Sequence, residues 1–185
     1  MSLLLELRAA TRPAHDRLEL GLDVLQRCRS TGSYAALLTG FRSVYAPLEQ
    51  ALDACVATEE AVPDWSRRRK TGWLDEDLAA LGADTVPGAA VPVVAAVEDV
   101  VGTLYVLEGA TLGGALVVRE LERTFGSPPP HRFFASYGAA RGAMWHAFRR
   151  HVEAIERRGV DRAAVVRAAT DTFATVERAC LQPTS

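Results

Sequence analysis

The feature that most limits how this chain can fold is a strongly apolar helical pattern from Val93 to Phe125 that contains glycines. Apolar residues recur along it at the spacing of one buried helix face. Four glycines interrupt it, and each lowers helix stability by about 1 kcal/mol relative to alanine. They are Gly102, Gly109, Gly113 and Gly114. A segment that opposes its own secondary structure in this way indicates tight packing or function.

Two of these glycines are four residues apart and therefore share a helix face, Gly109 and Gly113. Without side chains at these positions, a flat molecule can lie against the backbone and the helix can bend. The segment by itself is equally consistent with a close crossing of two helices at small residues.

The rest of the chain also follows helical periodicity, and no clear alternating strand pattern bounded by turn residues occurs. Pro47 predicts a kink in its helix, and Pro13 predicts either a kink or a helix restart with Thr11 as its N-cap. The basic run Arg67-Arg68-Arg69-Lys70 is expected to lie in a solvated loop. The sequence thus predicts an all-α fold of about six to eight helices. The expected helical segments are Leu3–Leu25, Tyr34–Cys55 capped by Ser33, Asp75–Leu81 ended by Gly82, Val93–Phe125, Gly138–Arg158, and a last helix from Asp161 to Cys180.

Composition limits the class of protein. The 185 residues are 49% hydrophobic with a net charge of -2, which predicts one globular domain over 1–185 and no nucleic-acid partner. The three cysteines form no CxxC pair, so neither a disulfide framework nor a zinc site is expected. The N-terminus lacks signal-peptide features, and no run reaches the about 20 uninterrupted apolar residues of a membrane span. We expect a cytoplasmic protein, and, since no apolar surface heptad is evident, a monomer.

A second segment carries a candidate metal ligand. Arg8, Arg12 and His15 lie seven and three residues apart, so on a helix they share one face. A neutral imidazole is a good iron ligand, and nearby arginines can hold carboxylates of the same ligand. The simpler interpretation is a partly buried histidine beside solvated arginines. Taken with the glycine face, however, the segment supplies the second side of a sandwich for a planar metal macrocycle.

With these residues in place, the sequence resembles the heme oxygenase family, in particular its bacterial biliverdin-producing branch. The first matching block is Leu7-Arg8-Ala9-Ala10-Thr11 followed by His15 and Leu18-Glu19. The second is Leu104-Tyr105-Val106-Leu107-Glu108-Gly109-Ala110-Thr111-Leu112-Gly113-Gly114. The third comprises Phe134, Tyr137-Gly138, Gly142, Trp145 and Phe148.

The resemblance implies a heme-oxygenase-like helical bundle with a kinked, glycine-rich distal helix, and it assigns roles to individual residues. His15 matches the proximal ligand of the heme iron. Gly109, Gly113 and Gly114 match the distal helix on the oxygen side and are the catalytic candidates. The remaining heme-binding candidates are Arg8, Arg12 and Arg150 near the propionates, with Arg149 and His146 as weaker matches, and Phe173 as a pocket-lining aromatic.

Two positions depart from the animal-type pattern of the family. Ala110 stands where that pattern has an aspartate that anchors a water network, and Leu112 stands where it has a serine. The form seen here looks usual for the bacterial branch. Thr111 or backbone groups are then the candidates for organising the distal water.

The resemblance further implies a reaction and its participants. Heme would be both cofactor and substrate, cleaved with O2 to biliverdin, CO and ferrous iron. Electrons would come from an external donor such as a ferredoxin or a reductase, and biliverdin could pass to a phytochrome-type photoreceptor. A non-catalytic heme carrier or sensor and a helical scaffold stay open as alternatives. A di-iron bundle and a helical zinc hydrolase are disfavoured, because neither Glu-x-x-His nor His-Glu-x-x-His occurs.

Overall fold

A computed structural model describes residues 1–181 of the chain, and these residues form ten α-helices joined by loops and three single 3-10 turns. None of the described residues lies in a strand, which confirms the predicted all-α fold. The ten helices exceed the predicted six to eight because three of them have only four or five residues, whereas the other seven have eleven or more. The helices are α1 Leu3–Leu22, α2 Val24–Arg27, α3 Thr31–Ala54, α4 Ala57–Ala61, α5 Thr71–Leu81, α6 Val97–Ala110, α7 Gly114–Phe125, α8 Arg132–Ala135, α9 Arg141–Arg157 and α10 Arg162–Leu181.

The helix ends follow local capping chemistry. Gly82 ends α5 with φ 64°, a left-handed conformation that favours glycine. Asp161 accepts the N–H of Ala164 at 3.1 Å and so caps α10 as predicted. The α3 helix begins at Thr31, earlier than expected, because Ser30 rather than Ser33 is its N-cap.

The two prolines lie inside continuous helices, Pro13 in α1 and Pro47 in α3. The predicted restart at Thr11 is therefore wrong. Ser2 caps the one continuous α1 helix, and the Thr11 hydroxyl donates to the carbonyl of Leu7 at 2.8 Å.

The apolar segment divides into two helices instead of one. It starts at Val97, where Asp99 accepts the N–H groups of Ala95 and Ala96 at 3.0 Å each. A 3-10 turn, Thr111–Gly113, then separates α6 from α7 at the glycines where the sequence predicts that the helix can bend. By length and apolar content alone Val97–Phe125 can cross a bilayer, but 61% of its most apolar window is buried, as in a core helix.

The core forms where α10 packs against both α6 and α1. A Cβ on Gly102 would lie 2.5 Å from the Val165 carbonyl oxygen and 2.6 Å from the Ala168 Cβ. This glycine is therefore required by a close crossing of α6 and α10. The tight-packing interpretation holds for Gly102, and α10 holds α1 and α6 in fixed positions beside it.

Candidate functional site

His15 lies on α1 with its imidazole 59% exposed. Its Nδ1 atom is 3.6 Å from Asp16 Oδ1 and 3.8 Å from Glu19 Oε2. Carboxylates beside one ring nitrogen favour a proton there and leave the other nitrogen as a lone-pair donor. The local sequence thus presents an accessible histidine with Nε2 free to bind a metal.

Phe173 brings α10 to the same place. Its ring is almost fully buried and meets the His15 imidazole edge-on, with centroids 6.3 Å apart at 73°. The structure therefore brings together two of the predicted site residues from opposite ends of the chain. The contact limits rotation of the imidazole from one side.

The glycines of the broken helix fall into two kinds. Ideal Cβ positions on Gly109 and Gly113 have no atom within 4 Å, so both face open space. A Cβ on Gly114 would lie 2.2 Å from the Phe134 carbonyl oxygen, so packing against that loop is sufficient to require Gly114. Leu112 and Leu116 are 47% and 51% exposed beside this bare backbone. An exposed apolar surface of this kind is typical of a ligand-binding face.

Thr111 is buried at the turn, and its hydroxyl donates to the Glu108 carbonyl at 2.7 Å. The hydroxyl proton is committed to this bond, which caps the last turn of α6. Thr111 can offer only its oxygen lone pairs to water or ligand.

Tyr105 joins the two sides of the site, a role that the sequence analysis did not assign. Its half-buried side chain lies close to Thr11 on α1 and to the charge of Arg8. Burial raises the pKa of Tyr105, and these two neighbours partly offset the rise. His15 and Gly109 each lie four residues beyond the contact, or about 6 Å along their helix axes. The signal was available, because Tyr105 is four residues before Gly109 and shares its helix face.

The predicted arginines lie on the surface of α1 and α9. Arg8, Arg12 and Arg150 are exposed, as are Arg149 and His146. Arg12 is paired with Asp16 at 3.1 Å, whereas Arg8 and Arg150 form no ion pair within residues 1–181. Two unpaired guanidinium groups are thus available to an anionic ligand.

One expectation about the basic run is wrong. Arg68 and Lys70 are 0% and 1% exposed instead of solvated, and both bind the buried carboxylate of Glu108. Their counter-charge, Glu108, lies 40 residues from Arg68 in sequence, so the composition around the basic run does not indicate that these side chains are buried. Arg67 and Arg69 do remain exposed.

The fold and the site together define a class of helical bundle that presents an accessible histidine on α1 and a bare glycine backbone at the α6–α7 turn. The chain belongs to the heme oxygenase family, whose model matches residues 1–181. No curated protein matches the chain.

Two solved structures share the fold. A heme oxygenase from Neisseria meningitidis, solved with NO and CO bound, has a TM-score of 0.84 and 20% identity over 97% of this chain and 90% of the other. Heme oxygenase from Leptospira interrogans has a TM-score of 0.76 and 17% identity over 98% and 99% of the two chains. At these identities the likeness establishes a common fold.

Proposed function

We propose that the chain binds heme between α1 and the α6–α7 turn, with His15 as the axial iron ligand. It then cleaves heme to biliverdin, CO and ferrous iron, using O2 and electrons from a separate donor protein. The observation that carries this proposal is the combination of an accessible His15, backed by two carboxylates, with an open backbone at Gly109 and Gly113.

The candidate residues fit the chemistry of heme, a flat apolar ring with anionic propionates at one edge. Leu112 and Leu116 offer apolar surface to the ring, and Phe173 supports the His15 imidazole from behind. The unpaired Arg8, close to Tyr105, offers positive charge to a propionate. Arg12 and Arg150 are further exposed cations on the helices that flank this region.

On the His15 side, neighbouring side chains set the orientation of the imidazole and the charge around it. Asp16 and Glu19 favour a proton on Nδ1, so the imidazole binds metal through Nε2. Their negative charge makes the imidazole a stronger electron donor. The edge-on contact with Phe173 limits rotation of the ring from the α10 side.

On the glycine side, the protein controls how close its backbone comes to the ring. Bound heme supplies oxygen binding and reduction at iron, and its own ring is the bond system that is broken. Because Gly109 and Gly113 have no side chains, the helix can approach a ligand to backbone contact distance. Leu112 and Leu116 place exposed apolar side chains next to this backbone.

One observation favours a non-catalytic heme carrier as the second candidate. The side chain of Ala110 cannot hydrogen-bond water, and the hydroxyl proton of Thr111 is already donated to the Glu108 carbonyl. If proton delivery needed either side chain as a donor, the chain would bind heme without cleaving it. If the chain is catalytic, the lone pairs of Thr111 and the backbone groups of the turn are the groups that can still bind water.

The test is a hemin titration followed by turnover. We expect a Soret band that saturates at one heme per chain, and its decay with growth of a biliverdin band after adding O2 and a ferredoxin–reductase system. His15→Ala should lose both, and external imidazole should restore the Soret band. His131→Ala, in the loop before α8, is the matched histidine control and should behave as wild type.

The remaining outcomes are also decisive. A saturable Soret complex that survives with ferredoxin, flavoprotein and ascorbate as electron sources would establish the carrier. A chain that folds but forms no Soret complex would refute heme binding and leave the open glycines unexplained.

A further inference from the structure

Glu108, the residue directly before Gly109, has a fully buried carboxylate held by three donors. It is 1% exposed. Its Oε1 atom accepts from Lys70 Nζ at 2.6 Å and from the Tyr137 hydroxyl at 2.7 Å. Its Oε2 atom accepts from Arg68 Nη1. Both oxygens are therefore fixed in direction at the point where α6 is about to break.

The donors to Glu108 are themselves anchored. Arg68 binds Asp64 through Nε at 2.8 Å and through Nη2 at 2.7 Å, and Nη2 also donates to the Met144 carbonyl on α9. Lys70 Nζ donates to the Arg68 carbonyl at 2.8 Å. The loop from Asp64 to Lys70 thus joins the end of α6 to α9 by directional bonds.

The same loop is attached to α3. Glu49 on that helix accepts the backbone N–H of Lys70 at 2.6 Å and that of Thr71 at 3.2 Å. Tyr45, also on α3, donates its hydroxyl to the Leu107 carbonyl at 3.4 Å. The last turn of α6 is thus tied through its side chain and its backbone to several parts of the bundle.

A gain in folding stability does not explain why the charged side chains of this cluster are buried. Burial lowers the pKa of Lys70, which records the cost of holding an ammonium group away from water. Well-packed apolar residues are often as stable as a buried ion pair, or more stable. An apolar contact can slide, whereas hydrogen bonds to both carboxylate oxygens fix distance and angle. The arrangement is better explained by positional precision.

This cluster lies next to the glycine turn, by which we mean the 3-10 turn Thr111–Gly113 with the flanking Gly109 and Gly114. Lys70, Tyr45, Thr111 and Gly114 line a cavity of about 10 Å³ behind it, room for at most about one water. The backbone of the turn therefore has almost no space to retreat. We infer that Glu108, held by Arg68, Lys70 and Tyr137, is a positioning residue that sets how far the Gly109–Gly113 backbone projects toward the proposed heme site.

This inference deepens the proposed function, since the depth of the turn would set the space on the open face of the bound heme. The first measurement nevertheless needs no heme. Amide hydrogen exchange of the apoprotein compares the Gly109–Gly114 segment with the core of α10. The variants are Tyr137→Phe, which removes one neutral donor, and the charge-balanced double variant Lys70→Met with Glu108→Gln. Glu122→Gln, the same change on the exposed face of α7, is the matched control.

We expect exchange at Gly109–Gly114 to rise about tenfold in Tyr137→Phe while α10 stays within twofold, because one charge-assisted hydrogen bond is lost. The double variant should show a larger rise, and Glu122→Gln none. If exchange rises equally in α10, the cluster only stabilises the bundle and the inference is refuted. If the double variant does not fold, Tyr137→Phe alone decides.

A second measurement uses the ferrous heme complex with CO. We expect Tyr137→Phe to keep hemin affinity within twofold but to change the CO dissociation rate several-fold, because CO senses the distance to the glycine backbone. An unchanged CO rate together with raised exchange would refute the link to the heme face. If no heme binds at all, the proposed function fails, while the exchange result still tests the positioning role.

Discussion

Replacing Gly109 with alanine should stabilise the empty protein and weaken its function. Gly109 lies in the last turn of α6, has no positive φ, and has no atom within 4 Å of an added Cβ. Alanine then gains the ordinary helix preference of about 1 kcal/mol over glycine at no steric cost. For a domain of this size that corresponds to a rise in Tm of about 2–4 °C.

Under the proposed function, the same methyl group would project from the open glycine backbone toward the bound heme. A ring lying against the backbone at van der Waals distance would have to move outward or tilt. We therefore expect hemin affinity to fall at least about tenfold, a loss of about 1.4 kcal/mol, and bilin formation to fall with it. The assay pairs a thermal melt of the apoprotein with a Soret titration of the same sample. Ala110→Gly, the neighbouring change in the opposite direction, is the control and should lower Tm without weakening heme binding.

Two results would refute this reasoning. A fall in the apoprotein Tm of Gly109→Ala would show that the space at Gly109 is not open. A raised Tm with unchanged hemin affinity and unchanged turnover would show that the open face is not the heme face.

Three further predictions concern the bundle. Gly102→Ala should destabilise the protein by about 1–3 kcal/mol, since its Cβ meets the α10 backbone at 2.5 Å, and a urea midpoint that does not fall would contradict this. Burial raises the pKa of Asp64, but the hydrogen bond and charge of Arg68 outweigh it and the net pKa is lowered. Stability from Asp64 is thus present above its ordinary value of 3.8 and lost as pH falls below it, so Asp64→Asn should flatten that part of an acid-unfolding curve. Burial raises the pKa of Cys28 to about 11 and of Cys180 to about 12, so both thiols should react with iodoacetamide at pH 8 only after unfolding, as peptide mass mapping would show.

Local chemistry in the sequence was enough to predict most of the fold. Apolar periodicity gave the long helices, and Gly82 and Asp161 marked helix ends through bonds to residues a few positions away. The restart at Thr11 failed because a continuous α1 buries Leu3, Leu7 and Ala14 together against the core. That burial depends on α10, which a local pattern does not contain.

The candidate site was only partly predictable for the same reason. Gly102, Gly113 and Gly114 look alike in sequence, yet two of them meet the backbone of Val165 or Phe134 and one meets nothing. The partners lie tens of residues away, so single-sequence reasoning cannot separate a packing glycine from an open one. Arg68 and Lys70 were misplaced as solvated residues because Glu108, their counter-charge, is equally distant.

The burial of Lys70 has a consequence for chemical labelling, because it is the only lysine in the chain. Every other basic side chain that the surface presents is a guanidinium or an imidazole, so acylating reagents and lysine-directed cross-linkers find no target side chain on the folded protein. Acylation of Lys70 requires its ammonium to leave Glu108 and lose a proton. The rate of that single reaction therefore reports how often the protein opens beside the glycine turn.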